Sequence, residues 1–349
     1  MAVRSFTCGL DRPQRLRLSG VVSAVAVLHA VAWGLFLYYA RGHQALAGLG
    51  TLAYAFGLRH AFDADHIAAI DNTTRKLLAG GKRPVAVGFF FSLGHASVVF
   101  ALTAALAAAA GTVSAALPAI EGYGTYVGAT VSGVFLCLIG VLNLVVLVDI
   151  VRMFRLLRRG EHDEERLERR LGERGFIVRR LGRVFALVSR SWHMYPLGLL
   201  FGLGFDTATE VGLLAVAAGV ATHHVPVLAV LSLPLLFAAG MSLMDTADGA
   251  FMSHAYGWAF ANPVRKVYYN LTVTGLSVVA ALVIGGIELM QVLAGRLRLE
   301  TGFWGWIGGL DFGVLGYALV GLFVATWAIS ALVWKAGRIE QRFAPLERG

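Results

Sequence analysis

Histidines and carboxylates sit where an otherwise apolar chain should not carry them, in four groups. The first holds Arg59, His60, Asp63, Asp65, His66 and Asp71. The second centres on His95. The third holds Asp206, Thr207, Thr209 and Glu210, and the fourth Met241, Asp245, Thr246 and Asp248. In an apolar medium such groups are costly, so they are functional candidates by default. Imidazole nitrogen combined with carboxylate oxygen suits borderline first-row divalent ions such as Ni²⁺, Co²⁺ or Zn²⁺. Alkali ions prefer oxygen alone, and Cu(I) prefers thiolate or clustered thioether. Two histidines at one helical site are hard to explain as Na⁺ or K⁺ ligands. The competing reading is a proton relay or a set of buried ion pairs, with Arg59 neutralising a neighbour.

Helical spacing gives these groups a face. On an unbroken helix His60, Asp63 and His66 fall within about 120° of one another, and Asp206 and Glu210 lie one turn apart. Asp65 points the other way. Either it serves a second contact, or the helix is unwound locally near a site at mid-membrane depth. Gly57, Gly94, Gly204 and Gly240 precede the four groups and permit close approach or bending. His29, His193 and His254 fall near predicted helix ends and read as interfacial, while His223 and His224 read as an outer loop.

The elements that must position these residues are membrane spans. Of 349 residues, 57% are hydrophobic and only 15% charged, against about 25% in soluble domains. The 42 glycines suit closely packed transmembrane helices. Cys8 and Cys137 are far apart, so neither a disulfide framework nor a CxxC metal pair exists. With about 20 apolar residues needed per crossing, eight segments emerge: 19–40, 45–71, 84–110, 125–150, 193–219, 226–252, 266–293 and 311–334. The fold class is thus an all-α polytopic membrane protein of about eight transmembrane helices. With the N-terminus inside, 26 Lys and Arg fall on the cytoplasmic side and 3 outside, while Arg59 lies within a span. That bias puts both termini in the cytoplasm.

The formal charge of +9 therefore signals topology rather than nucleic acid. Much of it comes from residues 152–190, where 12 arginines face 6 acidic residues. This cytoplasmic connector divides a single transporter domain, 1–349, into halves at 1–151 and 191–349. The halves echo one another: Phe62-Asp63 matches Phe205-Asp206, and Gly94 in segment 3 matches Gly240 in segment 6. Segments 2 and 5 cross in opposite directions, as an inverted repeat of segments 2–4 and 5–7 requires.

Four stretches, RHAFDADHI from Arg59, FFFSLGHASVV at 89–99, LGFDTATEV at 203–211 and GMSLMDTADG at 240–249, occur in one order across the chain. Together they resemble the motifs of the nickel/cobalt transporter family, whose signature His-x-x-x-x-Asp-His is matched by His60, Asp65 and His66. The resemblance implies a secondary permease of the cytoplasmic membrane importing Ni²⁺ or Co²⁺ as substrate, with segment 2 recognising the metal. His60, Asp63, Asp65, His66 and His95 are the expected metal ligands. Arg59, Asp71, Asp206, Thr207, Thr209, Glu210, Met241, Asp245, Thr246 and Asp248 are expected along the permeation path or supporting the ligands. No resident cofactor is expected, and the partners are the metal substrate and the lipid bilayer.

Energetics agree with import. An inward-moving dication gains about 4.6 kcal/mol per 100 mV, more than a thousandfold accumulation. No Gly-x-x-x-x-Gly-Lys-Ser/Thr loop is present, so the chain shows no ATPase of its own. Proton coupling would follow naturally if carboxylates release protons when metal binds. The alternatives are an efflux permease or a membrane metal sensor without flux. Efflux relatives carry a His-rich cytoplasmic loop, whereas this loop has only His162. A membrane enzyme is disfavoured because no Ser-His-Asp or HExxH arrangement is evident.

Overall fold

The computed structural model describes residues 12–43, 46, 48–82, 84–108, 123, 125–145, 147–148, 188–203, 208–221, 225–259 and 275–336. Asp206, Thr207, Gly204, His223 and His224 lie outside them, as do nearly all of the 152–190 connector and of the 112–124 loop. Within the described residues the chain is helical, with no strand. We number the α-helices α1 Arg12–Ala40, α2 Leu49–His60, α3 Ala64–Ala79, α4 Val87–Ala108 and α5 Thr125–Val145. After these come α6 Met194–Phe201, α7 Ala208–Ala221, α8 Val227–Ala259, α9 Gly275–Leu297, α10 Gly302–Gly308 and α11 Phe312–Ala336. Five of them, α1, α4, α5, α8 and α9, are long and apolar enough to cross a bilayer. The bent pair α10 and α11, kinked by 76°, adds a sixth.

The other two expected spans are interrupted. Segment 2 is α2 followed by α3, separated at Ala61–Asp63, where Asp63 is extended at φ −65°, ψ 143°. Segment 5 is α6 followed by α7. The unbroken helix assumed for the His60–Asp63–His66 face does not exist, and the unwound alternative does. Breaking a helix in lipid frees backbone groups, which is tolerated only where protein surrounds them. Here α11 supplies that cover. Gly316 lies so close to the Phe62 carbonyl that any β-carbon would collide with it, and Tyr317 stacks on Phe62 at 5.3 Å between centroids.

Two glycine-lined crossings within the bundle mirror each other. On one side α2 meets α8 where Gly57 touches the Phe237 backbone and Gly240 the Tyr54–Leu58 backbone. On the other, α4 meets α6 where Gly94 touches the Tyr195 backbone and Gly198 the Phe91 carbonyl. In each case the first half of a broken segment lies on the unbroken helix that follows the other broken segment. This exchange is what an inverted repeat produces. A side chain at any of the four glycines would push the backbones apart.

Two large apolar clusters fill most of the bundle. One gathers Ile67, Ile70, Phe91, Leu136, Phe201 and Phe323, and the other Phe36, Val99, Leu213, Leu236, Phe237 and Met241. Large apolar side chains on α1 and α11, among them Val27, Leu37, Val314, Val324 and Ile329, face outward as a lipid-facing surface should. Arg17, Lys82 and Arg190, from three separate parts of the chain, line one cavity of about 800 Å³. The start of α1, the α3–α4 turn and the approach to α6 therefore share one end of the molecule, as the charge distribution requires.

Candidate metal centre

Both interrupted segments begin their second halves with acid. Asp63 stands at the N-cap position of α3 with Asp65 in its first turn, and Glu210 lies in the first turn of α7. A helix N-terminus stabilises negative charge through its unpaired N–H groups and dipole. The broken helices thus direct carboxylates, each supported locally, toward the middle of the bundle. Helix α4 brings His95 between them, with Gly94 and Gly198 setting the depth of approach.

Three imidazoles meet there. Ring centroids lie 4.6 Å apart for His60 and His66, 4.7 Å for His60 and His95, and 4.8 Å for His66 and His95. One ligand atom from each falls within 4.8 Å of the others, and all three residues are buried. His60 Nε2 is 2.9 Å from His95 Nε2, and His95 Nε2 is 2.6 Å from Glu210 Oε1. Glu210 Oε1 also lies 3.9 Å from His60 Nε2. Two imidazole nitrogens and a carboxylate oxygen therefore converge on one point.

One further nitrogen of His60 and one of His66 are held from behind. His60 Nδ1 faces Asp63 Oδ2 at 3.1 Å and Thr209 Oγ1 at 3.2 Å. His66 Nδ1 lies 3.3 Å from Asp245 Oδ2. A carboxylate only accepts, so the proton belongs on His66 Nδ1 and leaves Nε2 with an exposed lone pair. His66 Nε2, buried, has no hydrogen-bond partner, and neither has His95 Nδ1 or Asp245 Oδ1. Phe91 walls the group beside His66, with 4.7 Å between centroids, and Phe237 does so beside His60 at 5.4 Å. Thus His60, Asp63, His66, His95, Thr209, Glu210 and Asp245 are brought together.

Other candidates lie around this group. Asp65 is half-buried, within electrostatic reach of Asp63 and His66 and hydrogen-bonded to the His66 backbone, at the edge of this set. Arg59 pairs with Asp311 at 3.7 Å, toward the accessible side of the break. Asp71 contacts Arg75 at 3.5 Å on α3. Asp248 lies within electrostatic reach of Asp71 and Asp245. Thr246 is buried on the same helix, and Met241 is buried in the apolar cluster with Phe237.

Sequence reasoning passed over several polar residues that tertiary structure brings inside. Ser92 of α4 donates to Ser242 of α8 at 3.1 Å. Asn143 donates to Asn72 Oδ1 at 2.8 Å, and Asn72 donates in turn to the Ala68 and Ser277 carbonyls at 2.9 and 3.4 Å. Arg75 donates to Ser277 Oγ at 2.6 Å. Ser132 donates to the buried Glu288 at 2.8 Å. Asp311 was also missed. A carboxylate or amide inside a predicted span was the available signal for Glu288 and Asn143, whereas Asn72 fell just past the expected end of segment 2.

Comparison with known proteins fits this architecture. The family model described as high-affinity nickel-transport protein matches residues 46–333. The chain is 53% identical to the nickel transporter NicT of Mycobacterium tuberculosis, covering 94% of this chain and 91% of that one. It is 50% identical to the nickel transporter NixA of Staphylococcus aureus over 95% of this chain and 98% of the relative. With the cobalt transport protein NhlF of Rhodococcus rhodochrous the identity is 47%, over 90% and 92% of the two chains. No solved structure matches. These relatives are transporters rather than enzymes, and the apolar helices make this a multi-pass membrane protein. The four motifs, the interrupted spans and the match over most of the chain lead to one assignment: the chain belongs to the high-affinity nickel-transport protein family.

Proposed function

We propose that the chain imports Ni²⁺ or Co²⁺ across the cytoplasmic membrane, with both termini inside and the membrane potential as driving force. The observation carrying this reading is the convergence of His60 Nε2, His95 Nε2 and Glu210 Oε1. Nitrogens bound to a first-row dication at about 2.1 Å, at right angles to each other, are separated by about 3.0 Å. The 2.9 Å between His60 and His95 is therefore a separation that a shared cation accommodates. His66 Nε2 supplies a third lone pair nearby.

In this reading the three imidazoles and Glu210 hold the ion. Asp245 fixes the proton on His66 Nδ1, and Asp63 with Thr209 does the same for His60, which raises ligand basicity and sets ring orientation. Asp65 contributes negative charge beside the site. Imidazole nitrogen selects Ni²⁺ and Co²⁺ over Mg²⁺ and Ca²⁺, which prefer oxygen alone. Asp245, Asp248 and Asp71 continue the acidic character along α8 and α3 toward the end of the molecule carrying Lys82 and Arg190. That end is assigned to the cytoplasm by charge bias. Asp206 and Thr207, outside the described residues, are assigned to the same path by their place in the third motif. Metal binding releases protons from these ligands, so proton movement accompanies transport.

Uptake of radioactive nickel into cells and proteoliposomes, competed with cobalt, zinc and manganese, tests the reading. Accumulation that follows an inside-negative potential, with cobalt the strongest competitor, is expected. Metal binding without flux would leave a sensor, and accumulation only in everted vesicles would leave an exporter.

A further inference from the structure

We infer that Asp311 and Asp63 form an outer capture site for the incoming dication, with the Arg59 guanidinium as its resident cation. The inference rests on the transport reading above and extends it to Arg59 and Asp311, which the metal centre does not use, through the outward-facing oxygen of Asp63.

The geometry lies at the rim of the broken segment. Arg59 is the penultimate residue of α2, just before His60, and Asp311 precedes α11 at the 76° bend. Arg59 Nη2 lies 3.7 Å from Asp311 Oδ1, and their side chains are 36% and 55% exposed. Asp63 is only 2% exposed, and its Oδ2 faces His60 Nδ1 at 3.1 Å. A β-carbon placed on Gly313 would stand 2.8 Å from Arg59 Nη2, 3.0 Å from Asp311 Oδ1 and 3.3 Å from Asp63 Oδ1. All three charged groups thus surround one point, which glycine alone keeps clear. The line from Asp311 through Arg59 to Asp63 and His60 runs from accessible surface to buried imidazole.

A carboxylate paired with a guanidinium, with a second carboxylate facing the same point, makes a cation site already filled by a tethered monovalent ion. A dication arriving at Asp311 competes with that guanidinium for the same oxygens. Once it moves past Asp63 to the imidazoles, Arg59 returns to Asp311. Without Asp311, the uncompensated charge of Arg59 opposes the dication. At about 6 Å in water-like surroundings, a single charge against a double charge changes affinity by about tenfold. Without Arg59, the paired carboxylates become a plain oxygen site, which Mg²⁺ also fits.

Asp311 also has a structural duty, since its Oδ1 accepts the Val314 N–H at 3.0 Å. Asparagine caps a helix as well as aspartate does, so Asp311→Asn removes charge while keeping the cap. The test is Ni²⁺ uptake by proteoliposomes of wild type, Asp311→Asn, Arg59→Gln and the double variant, each with and without a large excess of Mg²⁺. Asp311→Asn should raise KM about tenfold at unchanged maximal rate, the double variant should restore KM toward wild type, and Arg59→Gln should become sensitive to Mg²⁺. Wild-type KM in Asp311→Asn, or no restoration in the double variant, overturns the capture site. Absence of Ni²⁺ uptake by wild type would instead overturn the transport reading, so the two failures are distinct.

Discussion

Two buried polar residues of α3, Asn72 and His66, are built on opposite principles. Around Asn72 every amide function has a protein partner: two donated bonds to carbonyls and one accepted from Asn143. Beside it, Arg75 reaches Ser277 on α9. Around His66, less than two turns earlier, hydrogen bonds fix one side of each ring, and lone pairs at His66 Nε2, His95 Nδ1 and Asp245 Oδ1 remain without a hydrogen-bond partner. Leaving buried polar atoms unpaired costs about 1–3 kcal/mol each. The first group ties helices α3, α5 and α9 together. At His66 Nε2 that cost is one an arriving cation would relieve, and this difference separates Asn72, satisfied within the protein, from a residue poised for a ligand.

The comparison is sharpened most by removing imidazoles. His66→Ala, and separately His60→Ala and His95→Ala, should lower nickel uptake more than about 100-fold while membrane insertion persists, because a ligand position is lost outright. Radioactive nickel uptake normalised to protein in the membrane measures this, and wild-type affinity in His66→Ala would remove that residue from the site.

A smaller effect is expected from the carboxylates, Glu210 that shares the ion and Asp245 that supports His66. Glu210→Gln and Asp245→Asn should each reduce uptake roughly 10- to 100-fold. Protons and metal compete for the same lone pairs, so wild-type uptake should fall as pH falls. Asp245→Asn removes one of the groups that acid can protonate, and its acid inhibition should be shallower. An unchanged pH profile in both variants would leave these carboxylates a purely structural role.

The converse substitution belongs to the other group. Asn143→Ala leaves Asn72 without its donor and should cost about 1–3 kcal/mol of stability. Thermal unfolding of the purified protein should register that loss, while KM for nickel in the protein that remains folded stays at the wild-type value. A large KM change would erase the distinction between the two groups.

Much of the candidate site was legible in the sequence because charge in an apolar run is rare and its purpose narrow. His60, His66, His95, Glu210 and Asp245 stood out on that ground, and the structure brings them together. The break in segment 2 was legible only as a choice, through Asp65 facing away from His60. Periodicity describes a helix and says nothing of a neighbour such as Gly316 that shelters an unwound turn. Asp311 left no trace for a similar reason. It follows a turn at the edge of an expected span, where a carboxylate is ordinary, and only the bend between α10 and α11 carries it to Arg59. Asn72 and Ser277 are 205 residues apart, a pairing that no local pattern records.

X-ray absorption at the nickel edge, on purified protein loaded with one equivalent of Ni²⁺, tests the ligand set most directly. About three imidazole nitrogens with oxygen completing the shell are expected, and His60→Ala, His66→Ala and His95→Ala should each remove about one imidazole from the signal. An oxygen-only shell, or the same imidazole signal in all three variants, would contradict the assignment of these histidines as the metal centre.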